Sequence, residues 1–493
     1  MSLRHALLGS FSLVALTSAA GAQTPPGATS SPSAAVAASA AHAALTGVPR
    51  TLAEALAMTY SNQPALQAER AKLRATDENV PTALAGWKPT VVMAGTTGYG
   101  DGTARTYLRQ SGNGGWVNTQ TDRLIATAQA TVTQNIYTGG RTQANVNKAK
   151  NQVYAERATL IAQEETSFAN AIQAYVNVIQ DQQLLALQIN NEQVLAKQLQ
   201  ATNDRFRVGE ITRTDVAQAE AALEGARATR ETAEGTLQTA RGTFQQYIGV
   251  MPPPDLVEPQ PLNLPVKSER DAASLASINN PNVITAAFND AAAKDSIDAA
   301  FGALLPQVSV QGQTFQQNNQ GARSTQANGY QVVAQLSVPI YQGGSEYSAV
   351  RQAKQTQQQT SRLVDDAKRT AVQNAVQQWD TLIAAKAAAD STRAQIRANE
   401  IALEGVEREA IVGSRTTLDV LNATQALLQS RTQLVQNLAQ VITASYGVAA
   451  AIGRLTARDL HLAVPLYDDT AYYQAVKDRW AGLSDYATSQ PGR

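Results

Sequence analysis

The chain of 493 residues has no cysteine and no net charge, and aromatic residues make up only 5% of it. Without cysteine there are no disulfides, no thiolate chemistry, no thiolate metal site and no lipid anchor on an N-terminal cysteine. Forty basic side chains balance forty acidic ones. No charged cluster disturbs that balance, so nothing steers nucleic acid or an anionic surface toward the chain. With so few aromatics, Ala- and Gln-rich segments build close-packed helices rather than the bulky core of a globular enzyme. The only histidines are His5, His42 and His461, and no two of them have metal-ligand spacing. There is no nucleophile elbow and no P-loop. Gly98-Tyr99-Gly100-Asp101-Gly102 is glycine-rich but lacks the strand–turn–helix setting of a nucleotide site, and reads as a surface loop. No catalytic or metal site and no cofactor are expected, so energy for any transport must come from partners.

The N-terminus reads as an export signal over residues 1–22. Arg4 and His5 precede a mainly apolar run, and Ala20-Gly21-Ala22 is a small-residue cleavage pattern. Residues 23–48, with Pro25, Pro26, Ser30, Ser31 and Pro32, read as a flexible lead-in. No later stretch approaches 18 consecutive apolar residues, so no membrane-spanning helix is expected after cleavage.

What remains says the same thing twice. Asn62-Gln63-Pro64 returns as Asn279-Asn280-Pro281, and Trp87-Lys88-Pro89 as Leu304-Leu305-Pro306, both at an offset of 217. Ile136-Tyr137-Thr138-Gly139-Gly140 returns as Ile340-Tyr341-Gln342-Gly343-Gly344, now at 204. Val208-Gly209, with Thr212, Asp215 and Val216, returns as Val412-Gly413, Thr416, Asp419 and Val420 at the same 204. The change in offset falls between Pro89 and Ile136, while Gly139 to Gly209 and Gly343 to Gly413 both span 70 residues. Loops tolerate insertion; packed rods of matched length do not. The boundaries are a first repeat at 49–250, a Pro-rich linker at 251–270, a second repeat at 271–456 and a tail at 457–493.

Between Gly140 and Gly209 no proline or glycine interrupts the chain, and Gly405 is the single interruption in the second copy. Phe168, Ile172, Tyr175 and Ile179 step 4-3-4, a coiled-coil seam, and their images Val372, Val376, Trp379 and Ile383 are apolar too. A helix of roughly 65 residues is about 100 Å long. Shorter helices are expected over about 51–85, 215–248, 271–303 and 418–452, with Thr51 and Glu54 as a capping box on the first.

Ahead of each long helix lies an alternating segment. Ala126, Ala128, Ala130, Val132 and Ile136 alternate with Thr127, Gln129, Thr131, Thr133 and Asn135. Val332, Ala334, Leu336, Val338 and Ile340 alternate with Gln331, Gln335 and Ser337. Partner strands are expected at 90–98 and 307–316, with outward loops at 99–122 and 317–328. Period-two segments of about ten residues fit a membrane β-barrel, and also a soluble half-buried sheet. One chain offers four strands, whereas a lipid-embedded sheet must close with about eight or more. Two copies would supply eight and three would supply twelve. Pro89, Pro306 and the pairs Gly139-Gly140 and Gly343-Gly344 mark the strand-to-helix junctions.

Over about residues 50–457 this order resembles the TolC-like outer membrane factor family. The matching residues are the two Ile-Tyr-x-Gly-Gly elements, the two Val-Gly turns followed by Thr and Asp, and the two Pro-started strands. The resemblance implies a mainly α fold with a β-barrel portion: a homotrimer with a twelve-stranded barrel in outer-membrane lipid, continued by an α-helical barrel in the periplasm. It implies docking to a periplasmic adaptor and to an inner-membrane ABC exporter or proton-driven pump. Residues 459–480, through Val464-Pro465-Leu466-Tyr467 to Trp480, resemble the closing segment of members used in type I secretion. The alternative from another class is a periplasmic coiled-coil adaptor or structural rod, which would show one helical hairpin flanked by soluble β domains.

The resemblance also places a gate at the second Val-Gly turn. Asp419 would give one carboxylate per copy to an acidic ring, and Arg415 would bond towards Thr214 or Asp215 of the other hairpin. Asn422 stands where a second acidic residue is common, so a second ring would be neutral, and Ala410 stands where an aromatic gate partner can occur, so the resemblance does not extend to that latch. The tips at Val208, Gly209, Val412 and Gly413 are the implied adaptor-docking surface. On physical grounds alone, Thr212 with Asp215 and Thr416 with Asp419 fit the N-cap and N3 positions of returning helices. Three carboxylates brought together would favour cations.

Overall fold

Each half of the chain lays down the same series: a broken helix, a β-hairpin, a very long helix and a shorter helix returning beside it. The computed structural model describes residues 48–110, 113–320 and 324–483. The expected signal, all but the last residue of the lead-in, and the end of the tail lie outside them. The described residues belong to a single compact unit, 47–493.

In the first half α1 (Leu52–Asn62), α2 (Pro64–Asp77) and α3 (Asn79–Leu84) lead through one 3-10 turn into β1 (Thr90–Gln110) and β2 (Asn113–Tyr137). Then come α4 (Arg141–Arg207) and α5 (Arg213–Ile248). The second half repeats this with α6 (Glu269–Asn279), α7 (Pro281–Gly302), β3 (Gln307–Asn318), β4 (Gln326–Ser337), α8 (Ser345–Ile411) and α9 (Thr417–Ala451); a short α10 (Ala471–Val476) follows.

The expected single helices at 51–85 and 271–303 are each broken. Pro64 and Pro281 open new helices, and Gln63 and Asn280 before them take extended backbone angles, as a residue ahead of proline must. The Asn280 side chain turns that break into a cap: Oδ1 accepts the Asn282 N–H at 3.0 Å and Nδ2 donates to the Ala451 carbonyl at 3.1 Å. Thr51 and Glu54 form the expected capping box. Both long helices run 67 residues. They start from glycines in the left-handed region, Gly140 (φ 80°) and Gly344 (φ 83°). Runs of Ala, Gln and Leu with no proline sustain them.

The four strands form one antiparallel sheet in the order β1-β2-β3-β4. One face is polar: Gln313 donates to Gln129 at 2.9 Å and Gln331 to Gln313 at 2.7 Å, an amide ladder across three strands. The other carries Met93, Val332, Leu336 and Tyr330, all exposed in a single chain. The expected alternation is therefore observed, but the expected loop at 99–122 is not. β1 and β2 stay paired without a break from Thr90↔Thr133 to Gln110↔Asn113. The glycine-rich stretch at Gly98, Gly100 and Gly102 is strand, because each residue keeps a cross-strand partner and the polar residues between suit a two-sided exposed ribbon. The length difference between the repeats does sit in this hairpin.

In the helical layer α4 packs along α5, α7 and α9, and α8 packs along α6, α7 and α9. Phe168, Ile172, Tyr175 and Ile179 are buried as the seam requires. Tyr175 Oη lies 2.7 Å from the Arg50 carbonyl and 2.8 Å from that of Val257, tying the inter-repeat linker to the first repeat. The second seam is shifted. Ala371, Ala375, Leu382 and Ala385 are buried, while the images Val372, Val376 and Trp379 are half-buried and Ile383 is exposed. The reason is coverage: α1, α2 and α3 also pack on α4, whereas α8 has α6, α7 and α9 beside it and lies at the border of the layer.

Candidate functional site

The two helical hairpins end in tips built alike. Val208 and Val412 are 78% and 77% exposed, and Gly209 and Gly413 turn the chain with φ of 79° and 83°. Beyond each turn a threonine and an aspartate close a capping box. Asp215 Oδ2 accepts the Thr212 N–H at 2.9 Å and the Thr212 hydroxyl at 2.7 Å. Asp419 Oδ2 accepts the Thr416 N–H at 2.9 Å and the Thr416 hydroxyl at 2.8 Å. The Thr416 backbone N–H, then the Thr416 hydroxyl, hold the Asp419 carboxyl below its ordinary range; for Asp215 the hydroxyl of Thr212 contributes most. Both are anions at neutral pH, placed at the positive end of a helix.

Between these boxes the tips differ in charge order. On the first, Arg205 bonds Glu210 at 2.5 Å. On the second, Arg415 Nε bonds Glu409 at 2.8 Å. Within one chain Arg415 thus reaches Glu409 of its own hairpin rather than Thr214 or Asp215, because Glu409 lies on the preceding helix turn while Asp215 is held by Thr212. Asn422 and Thr214 are exposed and Ala410 is buried. Above the tips a groove of about 710 Å³ runs between α4, α5 and α9, lined by amides and small residues such as Gln188, Asn191, Gly225, Thr229 and Gln425.

At the opposite ends of the long helices, Pro89 and Pro306 immediately precede β1 and β3, and the paired glycines follow β2 and β4. Gly139, Gly140, Gly343 and Gly344 all have positive φ. The two junctions are not equally packed. A Cβ on Gly139 would strike the Gly302 carbonyl oxygen, whereas one on Gly343 would meet open space.

A third group of residues escaped the sequence reading. The segment after α9 runs back across the first repeat, and the half-buried Glu164 and the buried Glu165 hold it there. Glu164 accepts the Ala457 N–H at 2.6 Å and Glu165 that of Leu455 at 3.4 Å. Burial pushes Glu165 up to about 8, with its hydrogen bond working against this and Glu164 adding to it. Burial likewise pushes Asp77 up to about 7. Further along, the Tyr467 N–H donates to Tyr60 Oη, Tyr472 donates to Glu78, and Lys88 donates to the Arg479 carbonyl and lies over the Trp480 ring. The available signal was Glu165 alone, a carboxyl three residues before Phe168 on the buried seam, and it does not reveal which segment it holds.

A curved sheet, apolar on one face and polar on the other, joined by glycine hinges to rods about 100 Å long, defines the class: a wall segment of a β-barrel channel prolonged by helices. Among the described residues no helix is long and apolar enough to cross a membrane, and no side-chain cluster could hold a metal ion. The outer membrane efflux protein family matches residues 38–250 and 272–454. The outer membrane efflux protein BepC of Brucella suis biovar 1 (strain 1330) is 34% identical over 446 residues, 89% of this chain and 94% of that protein. The outer membrane protein TolC of Escherichia coli (strain K12) is 24% identical over 318 residues, 60% of this chain and 63% of that one. Among solved structures, the outer membrane protein VceC of Vibrio cholerae superposes with a TM-score of 0.69 at 18% identity, covering 82% of this chain and 96% of that one. The chain belongs to the outer membrane efflux protein family. It is an exit duct of the outer membrane and extends into the periplasm. Members of the family are channels rather than enzymes, and TolC-like channels are homotrimers that work with adaptor proteins and inner-membrane pumps or ABC exporters.

Proposed function

We propose that this chain, after removal of residues 1–22, assembles as three copies that close both of its open layers at once. Their hairpin tips form the periplasmic gate and receive an adaptor serving an inner-membrane pump or ABC exporter. One observation carries the reading: the chain is unfinished in the same sense in sheet and helices. The sheet ends at β1 and β4, and the helical layer runs α5-α4-α9-α8, leaving α5 and α8 as its borders. A single rotation joining β4 to the next β1 and α8 to the next α5 completes both, and three copies of four strands give a twelve-stranded barrel.

In this assembly Asp419 repeats three times around the axis, and Arg415, with Asn422 one turn further on, lies beside it. The exposed ends at Val208 and Val412, with the amide-lined groove between α4, α5 and α9, offer the adaptor a polar helical surface. The rod alternative has no use for a sheet whose outward face is apolar. Native mass spectrometry of the detergent-extracted protein tests the assembly. Three copies are expected, and a stable water-soluble monomer without lipid or detergent would overturn it.

A further inference from the structure

The first hairpin is longer than any neighbour in its own sheet. β3 reaches β2 only as far as Ala126↔Asn318, and β4 stops level with it at Asn318↔Gln326. β1 and β2 continue, paired, from Gly98↔Ile125 to Gln110↔Asn113. At ~3.4 Å per residue this ribbon stands about 40 Å beyond the rest of the sheet. From the shorter side, the Asn319 amide donates to the Leu124 carbonyl at 2.9 Å. β4, with 12 residues, spans only part of the 21-residue β1 edge of a neighbouring copy. Two long strand edges therefore remain on each ribbon, and exposed strand edges are templates for pairing.

We infer that the occupant of these edges is the same ribbon of the adjacent copies. Beyond the barrel's rim the β2 edge of one copy pairs with the β1 edge of the next, and three ribbons form a six-stranded collar narrowing the extracellular exit. The inference rests on the trimeric assembly proposed above.

Three features of the ribbon fit this occupant. The first is direction. Between β2 and the next copy's β1 lie two strands, β3 and β4, and omitting an even number from an antiparallel series leaves the new neighbours antiparallel. The second is the means of bending inward. The polar, lumen-side face is marked by the Thr96 and Thr127 hydroxyls at 2.5 Å and by the amide ladder. Following its alternation upward places Gly98, Gly100 and Gly102 on that face just past the rim. A strand bends readily towards a side that lacks side chains. The third is filling. Across the ribbon a small lumen-side residue faces a larger one, as in Gly98↔Ile125, Gly100↔Arg123 and Leu108↔Gly115. Small barrels fill their interiors with such small–large combinations. The large aromatics sit on the opposite face, where Tyr107 and Trp116 meet edge-on at 5.3 Å and Arg105 lies over Trp116.

The chain contains no cysteine, so an introduced one carries the only spin label. Thr127→Cys places a label on the lumen side of the barrel and Val117→Cys on the same face of the ribbon. Pulsed dipolar spectroscopy on the full-length protein in detergent then reads the distance between copies at each level. Barrel diameter scales roughly with strand number, so the distance at residue 117 is expected to be about half that at residue 127. Leu108→Cys, on the facing strand, gives the same reading if Val117→Cys fails to fold. An equal or longer distance at 117 and 108, with a defined distance at 127, overturns the collar and leaves the trimer standing. No inter-copy distance at 127 overturns the trimer and the collar with it.

Discussion

Asp215 and Asp419 occupy the same position in duplicated tips and make the same bonds, which separates capping from gating. Each closes its box with an N–H and a hydroxyl below 3 Å. Loss of either box to alanine should therefore destabilise by about 1 kcal/mol. If Asp419 also lines the constriction, Asp419→Ala should lower cation selectivity and block by multivalent cations in planar bilayers, while Asp215→Ala should not. Unchanged selectivity and block in Asp419→Ala would leave Asp419 as a cap alone. Glu165 poses a different question, since its carboxyl is raised to about 8 by burial. A carboxyl raised on folding favours the folded state most below its unfolded value near 4.5. That contribution is lost as pH rises through 8. Glu165→Gln keeps the acceptor for Leu455 without the charge. It should match the parent in unfolding at pH 4.5 and exceed it by about 1–2 kcal/mol at pH 8.5, a discounted share of about 1.4 kcal/mol per pKa unit. The same pH dependence in both proteins would remove Glu165 from the account.

At the scale of elements, the duplicated junctions offer a controlled comparison. Gly139 and Gly343 have nearly equal positive φ, 65° and 70°, so alanine at either should cost about 1–2 kcal/mol of backbone strain. Only at Gly139 does the new Cβ also strike backbone, the Gly302 carbonyl. Gly139→Ala should lower the thermal midpoint clearly more than Gly343→Ala; an equal loss would mean that α7 moves aside freely. The sequence made much of this level readable. Equal spacing between glycines predicts two rods of one length, and Pro-led, Gly-ended alternation predicts the strands. It misleads where two physical effects compete. Polar, glycine-rich residues at 99–122 suit a loop or an exposed ribbon equally, and only the unbroken pairing distinguishes them. Among the candidate gate residues, Asp215 and Asp419 were legible through their capping spacing. Arg415 was not: its partner depends on which turn of α8 carries Glu409 nearby, which the other hairpin's sequence does not reveal. Glu164 and Glu165 were invisible as a strap site because the segment they hold lies nearly three hundred residues away.

The whole molecule is governed by what one chain cannot cover. α4 buries residues along most of its length, from Thr142 to Thr202, whereas α8, just as long, buries only Ala371, Ala375, Leu382, Ala385, Ala389, Thr392 and Ala410 among the described residues. Its apolar Ile383 and Ile401 remain 49% and 71% exposed. They are 18 residues apart, five full turns at 3.6 per turn, so they share one face. On a border helix of an unfinished ring, that face is where the next copy's α5 belongs. Replacing both with glutamate, as in Ile383→Glu with Ile401→Glu, should leave each chain helical because neither contributes to its buried core. It should strip about 2 kcal/mol of apolar burial per site from every interface and add two charges. Circular dichroism of the double variant should match the parent, while native mass spectrometry should show the trimer lost or dissociating at markedly lower temperature. Trimers as heat-resistant as the parent would place this face of α8 towards solvent, and the border between copies would have to be sought on another face of the same helix.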